Sequence, residues 1–145
     1  MDAPKHLKHK PIISVNNYNN IDGIYAKNTD AKALSIGIAQ YDASDISAKV
    51  WRYDEANKKW SRQSEELPLH RVLDLSILTI ASLIKDSELN FSVSALRETC
   101  DNLDDVKKIQ KYYNDNKTEI KARISELERL IAEFRKTENK NYSKI

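Results

Sequence analysis

The sequence predicts an α+β fold: a small antiparallel β-meander packed on a buried helix, followed by a C-terminal helical hairpin or long helix. Three observations carry this. Apolar residues alternate with small or polar ones at Leu34, Ile36 and Ile38, and again at Ile46, Ala48 and Val50, the period-two pattern of a sheet with one apolar face. The period changes at Leu67 and Pro68, after which Leu69, Val72, Leu73, Leu75, Ile77, Leu78, Ile80, Ala81, Leu83 and Ile84 leave almost no polar face. Such a helix is buried on most sides. Finally, Val106, Tyr113, Ile120, Leu127 and Phe134 recur every seven residues, the spacing of a helix seated along another helix.

The elements follow in order. Residues 1–10, MDAPKHLKHK, are polar, basic and aperiodic, which predicts a flexible, frayed tail. His6 and His9 stand there without further ligands at a metal-binding spacing, so no metal site and no cofactor is assigned. Pro11 introduces Ile12, Ile13, Ser14 and Val15, an entering or edge strand. Asn16 to Gly23 is dense in Asn, Asp and Gly, the composition of a turn or ordered loop. Strands over residues 34–41 and 46–53 are joined by the short Asp42–Asp45 turn, with Lys49, Trp51 and Tyr53 pointing away from the apolar face. A second turn over residues 54–59 folds residues 60–63 back beside the second strand.

Pro68 suits the first turn of the helix that follows, where its missing amide costs little. At about 17 residues this helix is too short, and too flanked by charge, to span a bilayer. A polar break over residues 85–90 precedes Phe91, Val93 and Leu96, where Ser92 or Ser94 would cap a short helix ending near Asp101. In the last third, Ile109, Ile124, Leu130 and Ile131 fill intermediate positions of the heptad stripe, and Leu103 precedes Val106 by one turn. Asn116 stands where an apolar residue is expected. Either the helix breaks into a hairpin there or a polar contact fixes its register. The organisation is thus a basic tail (1–10), an α+β core domain (11–101) and a C-terminal helical segment (102–145) that packs on the core or on another subunit.

At 145 residues the chain is one domain long. Its 24 basic and 22 acidic residues leave a net charge of only +2, which argues against gripping duplex nucleic acid by its phosphates. The single cysteine, Cys100, cannot form an internal disulfide, so a cytoplasmic home is expected. Met1 leads directly into charged residues, with no apolar stretch for a signal peptide or a membrane partner. Two glycines exclude a glycine-rich phosphate loop or dinucleotide fingerprint.

The richest mixture of functional side chains runs from Trp60 to Arg71, at the strand-to-helix junction. It suggests a pocket for a small anionic, planar ligand such as a nucleotide, built from Trp51, Trp60, Arg62, Gln63, His70 and Arg71. The two arginines would fork onto phosphate or carboxylate oxygens, and a tryptophan would stack on a base. Structural roles compete: Trp60 as ordinary core, Ser64 with Glu65 and Glu66 as a helix cap, and Arg71 paired with Glu66 or Asp74. His70 has Glu66 and Asp74 four residues to either side, a setting for a general base. Ser61 and Ser64 are nucleophiles only by proximity in sequence, so no catalytic residue is assigned. The loop acids Asp22, Asp30, Asp42 and Asp45 lack calcium-loop spacing. Charges from Glu119 to Arg135 alternate in sign, a solvated helix face first and a partner-selecting flank second.

The run KPIISVNNYNNIDGIYAKNTDAKALSIGIAQYD from Lys10 to Asp42, the strand ISAKVWRY and the junction KWSRQSEELPLHRVLDL together resemble a bacterial domain-of-unknown-function family of small uncharacterised proteins. The resemblance covers roughly residues 10–75 and excludes the heptad helix after Leu103. It implies a bacterial or bacteriophage cytosolic setting and brings no activity or catalytic residues. The layout also looks like that of some phage proteins that sequester nucleotide immune signals, an architectural likeness that points to phage–host immunity.

The expected function is a non-enzymatic protein that binds or sequesters a small anionic ligand. It would form a homo-oligomer through Val106, Ile109, Tyr113, Ile120, Ile124, Leu127, Ile131 and Phe134. The alternatives are a structural or partner-binding protein without a small ligand, and a hydrolase or nuclease using His70 with Glu66 or Asp74.

Overall fold

A computed structural model describes residues 1–85 and 92–143. Three strands, β1 (Lys10–Val15), β2 (Ala31–Ile38) and β3 (Ile46–Asp54), pair antiparallel in chain order. Two short strands, β4 (Lys59–Trp60) and β5 (Glu66–Pro68), both pair with β3 on its other edge. Leu34 stands opposite Val50, Ile36 opposite Ala48 and Ile38 opposite Ile46. The two turns close as their acids dictate: Asp42 accepts the Ser44 amide at 2.9 Å, and Asp54 accepts the Asn57 amide at 3.0 Å. The return strand is shorter than residues 60–63. Past Trp60 the chain loops out, held by Ser64 Oγ, which accepts the Arg52 amide at 3.0 Å, and re-enters as β5.

Residues 16–30 form an ordered loop with two 3-10 turns, Tyr18–Asn20 and Gly23–Tyr25. β1 is bulged between Pro11 and Ile13 and crosses Gly37 so closely that a Cβ there would collide with the Lys10 carbonyl and Pro11. Glycine at this position permits the close approach.

The alternation in β2 and β3 is present, but burial falls on the opposite face. Ala33, Ser35, Ser47, Lys49 and Trp51 are buried, whereas Leu34, Ile38 and Val50 are half-buried and Ile36 and Ile46 exposed. The covering comes from residues 1–9, which are therefore not a frayed tail. Ala3 and Leu7 pack on Ala33 and Trp51, the His9 ring is 0 % exposed, and the Ala3 and Asn17 amides bond to Asn16 Oδ1 and the Met1 carbonyl. Burying Trp51, the largest side chain of the sheet, outweighs leaving branched aliphatics half-covered on the other face.

The helix α1 (Leu69–Ile84) starts behind Pro68 as its sequence dictates and touches β3, β5 and the next helix. Its burial differs from expectation. Among the described residues Ala81 is its only buried side chain, while Leu69, Leu73, Leu75, Ile77, Leu78, Ile80 and Ile84 are exposed in the single chain. On one flank Val72 stands over the sheet face beside Val50 and Leu67.

The polar break at residues 86–90 and Phe91 lie outside the described residues. No helix follows Ser92 or Ser94. Instead the Glu98 carboxylate collects the Ser94 hydroxyl at 2.5 Å and the Val93 amide at 2.6 Å, closing a local loop. A 3-10 turn, Leu103–Asp105, leads into α2 (Val106–Asp115), and α3 (Lys117–Tyr142) follows after one residue, Asn116. One residue is too short for a helical hairpin. The Asn116 amide still reaches Tyr112 and Tyr113, and the Ile120 amide reaches Asn116, so α2 and α3 are one long helical segment with an interruption.

The accessible surface is 11,013 Å², against about 7,600 Å² for a compact chain of 16.7 kDa. The chain thus exposes about 3,400 Å² more than a compact one of its mass.

Candidate functional site

The junction residues do not converge on one cavity. Trp51 is 2 % exposed: its ring meets His9 and Trp60 edge-on at 5.5 and 5.8 Å, Lys49 Nζ lies 4.5 Å from its centroid, and Nε1 donates to Ser35 Oγ at 2.8 Å. A core indole bonded this way offers no face to a solvent-borne base, which removes Trp51 from the expected pocket. Trp60 is half-buried, edge-on to Tyr53 at 5.3 Å. Arg62 and Gln63 are exposed on the loop between β4 and β5, and His70 and Arg71 are exposed in the first turn of α1. None of these five lines the three clefts described below.

Of the competing structural roles, that of Trp60 holds, since it packs against the core cluster, while the other two resolve differently. Among the described residues no side chain caps α1. Glu65 forks onto Arg52, with Nε–Oε2 at 3.0 Å and Nη2–Oε1 at 2.6 Å, and Arg52 also holds Asp30 at 2.5 Å. These hydrogen bonds raise the Arg52 pKa and lower that of Glu65. Arg71 forms no ion pair with Glu66 or Asp74 among the described residues, and Glu66 is engaged elsewhere.

That engagement is the most organised polar site in the molecule. His9 Nε2 lies 3.0 Å from Ser35 Oγ, and His9 Nδ1 lies 3.1 Å from both Glu66 Oε1 and Ser47 Oγ. Ser35 Oγ thus sits between the Trp51 indole N–H, which donates to it, and His9 Nε2, while Nδ1 faces Glu66. Glu66 further accepts from Ser47 Oγ at 2.7 Å, the Gln40 amide at 2.9 Å and Lys49 Nζ at 3.4 Å. Burial pushes the Glu66 carboxyl up, but the bonds from Ser47, Gln40 and His9 and the Lys49 charge hold it at about 2. The order Ser35–His9–Glu66 is that of a serine-hydrolase relay. Access forbids that chemistry: Ser35 is 5 % exposed beneath the opening segment. The network pins residues 1–9 to the sheet.

Sequence patterning passes over this site for a physical reason. Ser35, Ser47 and Lys49 alternate with aliphatics and read as a solvated face, and His9 lies 57 positions before Glu66. The available signal is Trp51, which shares their face and cannot be left in water without cost.

Three clefts remain, the first apolar and the other two of mixed lining. A cleft of about 400 Å³ on the less-covered sheet face is lined by Ile13, Val15, Leu34, Ile36, Val50 and Val72, among others. A second, of about 420 Å³, lies between α1 and α2 around Leu78, Lys85, Glu98 and Cys100. A third, of about 180 Å³, separates Tyr18 and Tyr25 from Tyr112 and Ile120.

The heptad stripe is divided. Val106 is buried within its own chain, which removes it from any interface, and Tyr113, Ile120 and Ile124 are half-buried. Arg123 ties this part of α3 to the loop by donating to the Ile21 carbonyl at 2.8 Å. Ile109, Leu127, Leu130, Ile131 and Phe134 are exposed, Phe134 at 62 %. Among the described residues no helix is long and apolar enough to cross a membrane.

A model of a family of unknown function, DUF6530, matches residues 1–92, nearly two thirds of the chain. The stretch over residues 10–75 that carries the family resemblance falls inside the match, and α2 and α3 lie beyond it. No curated protein and no solved structure matches the chain.

Proposed function

We propose that this chain, which belongs to the DUF6530 family of unknown function, is a non-enzymatic interaction protein that assembles with copies of itself through α3. The observation that carries this is the free end of the heptad stripe. Leu127, Leu130, Ile131 and Phe134 are exposed on a 26-residue helix that buries none of its side chains among the described residues. At 1.5 Å per residue α3 runs about 39 Å, and among the described residues its far half stays exposed. Glu126, Arg129, Glu133 and Arg135 flank the stripe with both signs of charge, so a second α3 supplies counter-charges. The lone Cys100 supports a cytoplasmic setting for the assembly.

The test is light scattering after size exclusion, comparing wild type with Leu127→Glu/Ile131→Glu. An assembly that loses mass in the variant at unchanged helix content is expected. A wild type that runs as a monomer at micromolar concentration overturns the proposal.

One observation favours a second reading, capture of a small anion such as a nucleotide, with sequestration of an immune signal as one setting. Arg62 and Arg71 have no acidic partner within ion-pair distance among the described residues. Binding to the native state alone raises thermal stability. A nucleotide panel that produces no shift, with Arg62→Ala and Arg71→Ala silent, removes it.

A further inference from the structure

We infer that the exposed seam of α1 is a second self-association surface, covered by α1 of another copy and separate from the α3 contact proposed above. Leu69, Leu73, Ile77, Ile80 and Ile84 follow one another at steps of four, four, three and four and are each 36–63 % exposed. At 3.6 residues per turn they share an arc of about 80°, the seam of a helix that packs against another. Val72, to one side, faces the sheet cleft, and Leu78 and Ser82, to the other, face Val106 and Ile109 of α2. Among the described residues the seam lies outside both intramolecular contacts.

Surface area argues for a partner beyond the α3 contact. A standard interface hides about 800 Å² per partner, whereas the chain carries an excess of about 3,400 Å² over a compact chain of its mass. Charge argues for which partner. From Leu75 to Ile84 the sequence has no charged residue. Docking α3 there would take the Glu126–Arg129 and Glu133–Lys136 pairs and Arg135 out of water with no charge opposite. Another α1 brings no such cost. Nor does α1 resemble a helix that lies on a membrane, whose polar face carries Lys and Arg.

In a two-fold pair the seam's midpoint meets its own copy, and that midpoint is Ile77. In a Cys100→Ser background, Ile77→Cys is expected to form an inter-chain disulfide on mild oxidation, while Leu75→Cys, on another face, does not. Leu73→Glu/Ile77→Glu is expected to cut the mass of the assembly at least in half, and adding Leu127→Glu/Ile131→Glu to leave a monomer. If the α1 variant keeps the wild-type mass and Ile77→Cys gives no cross-link, the inference is overturned and the α3 contact stands. If only the α1 variant lowers the mass, the α3 contact fails instead. A monomer that binds vesicles of anionic phospholipid through α1 overturns it in favour of a membrane surface. The cross-link reads the contact even where the Glu substitutions disturb folding.

Discussion

Oε1 of Glu66 lies 3.1 Å from Nδ1 of His9, so a strand residue three positions before α1 grips the opening segment of the chain. The grip explains why residues 1–9 behave as part of the core, and it makes their attachment testable.

Replacing Glu66 by Gln leaves Lys49 and His9 buried against a neutral amide. Breaking a buried, hydrogen-bonded ionic contact by removing one partner costs about 3 kcal/mol. Urea denaturation of Glu66→Gln is expected to show a loss of that order, His9→Ala a comparable one, and the double variant less than their sum because both cut one network.

Stability is expected to fall on acidification. The Glu66 carboxyl sits at about 2 in the folded chain against an ordinary 4.5, so its contribution is complete above the ordinary value and drains as pH drops toward 2. Glu98 has the same sign: the Ser94 hydroxyl and Val93 amide hold it at about 2. Denaturation midpoints should be level above pH 5 on this account and decline below it, with a shallower decline in Glu66→Gln. A midpoint independent of pH over this range would contradict the network.

Trp51 and Trp60 report on different environments. Acrylamide should quench Trp60 and spare Trp51, a difference read in Trp51→Phe and Trp60→Phe. Trp51→Ala empties the centre of the small core and is expected to cost about 3–5 kcal/mol. Trp51→Phe, which mainly orphans the Ser35 bond, should cost about 1–3 kcal/mol.

Gly37→Ala tests the crossing of β1. The added methyl meets the Lys10 backbone, which cannot rotate aside as a side chain would. Overpacking of this kind costs about 1–3 kcal/mol, and amide exchange in β1 should accelerate more than in β3.

Much of the local structure is legible in the residues. Alternation at Leu34–Ile38 and Ile46–Val50 marks the hairpin, Asp42 and Asp54 mark its turns, Pro68 marks the start of α1, and Asn116 marks the weak point of the heptad helix. The site was less legible. Arg62, His70 and Arg71 are neighbours in sequence, yet an exposed loop and a helix face keep them out of any common cleft.

Local pattern and turn chemistry, read from the sequence alone, determined the paired central strands, the start of α1 and the C-terminal helical segment, because backbone geometry answers to nearest neighbours, but not the strand ends, β5 or the loop that replaces a helix after Ser92. Tertiary structure alone decided which face of the sheet is core. Period-two alternation distinguishes two faces without saying which will be covered, and the answer depended on Ala3, Leu7 and His9 folding back over Trp51. It also decided that α1 would reach solvent: an apolar helix requires burial, but among the described residues the sheet and α2 cover only two of its flanks.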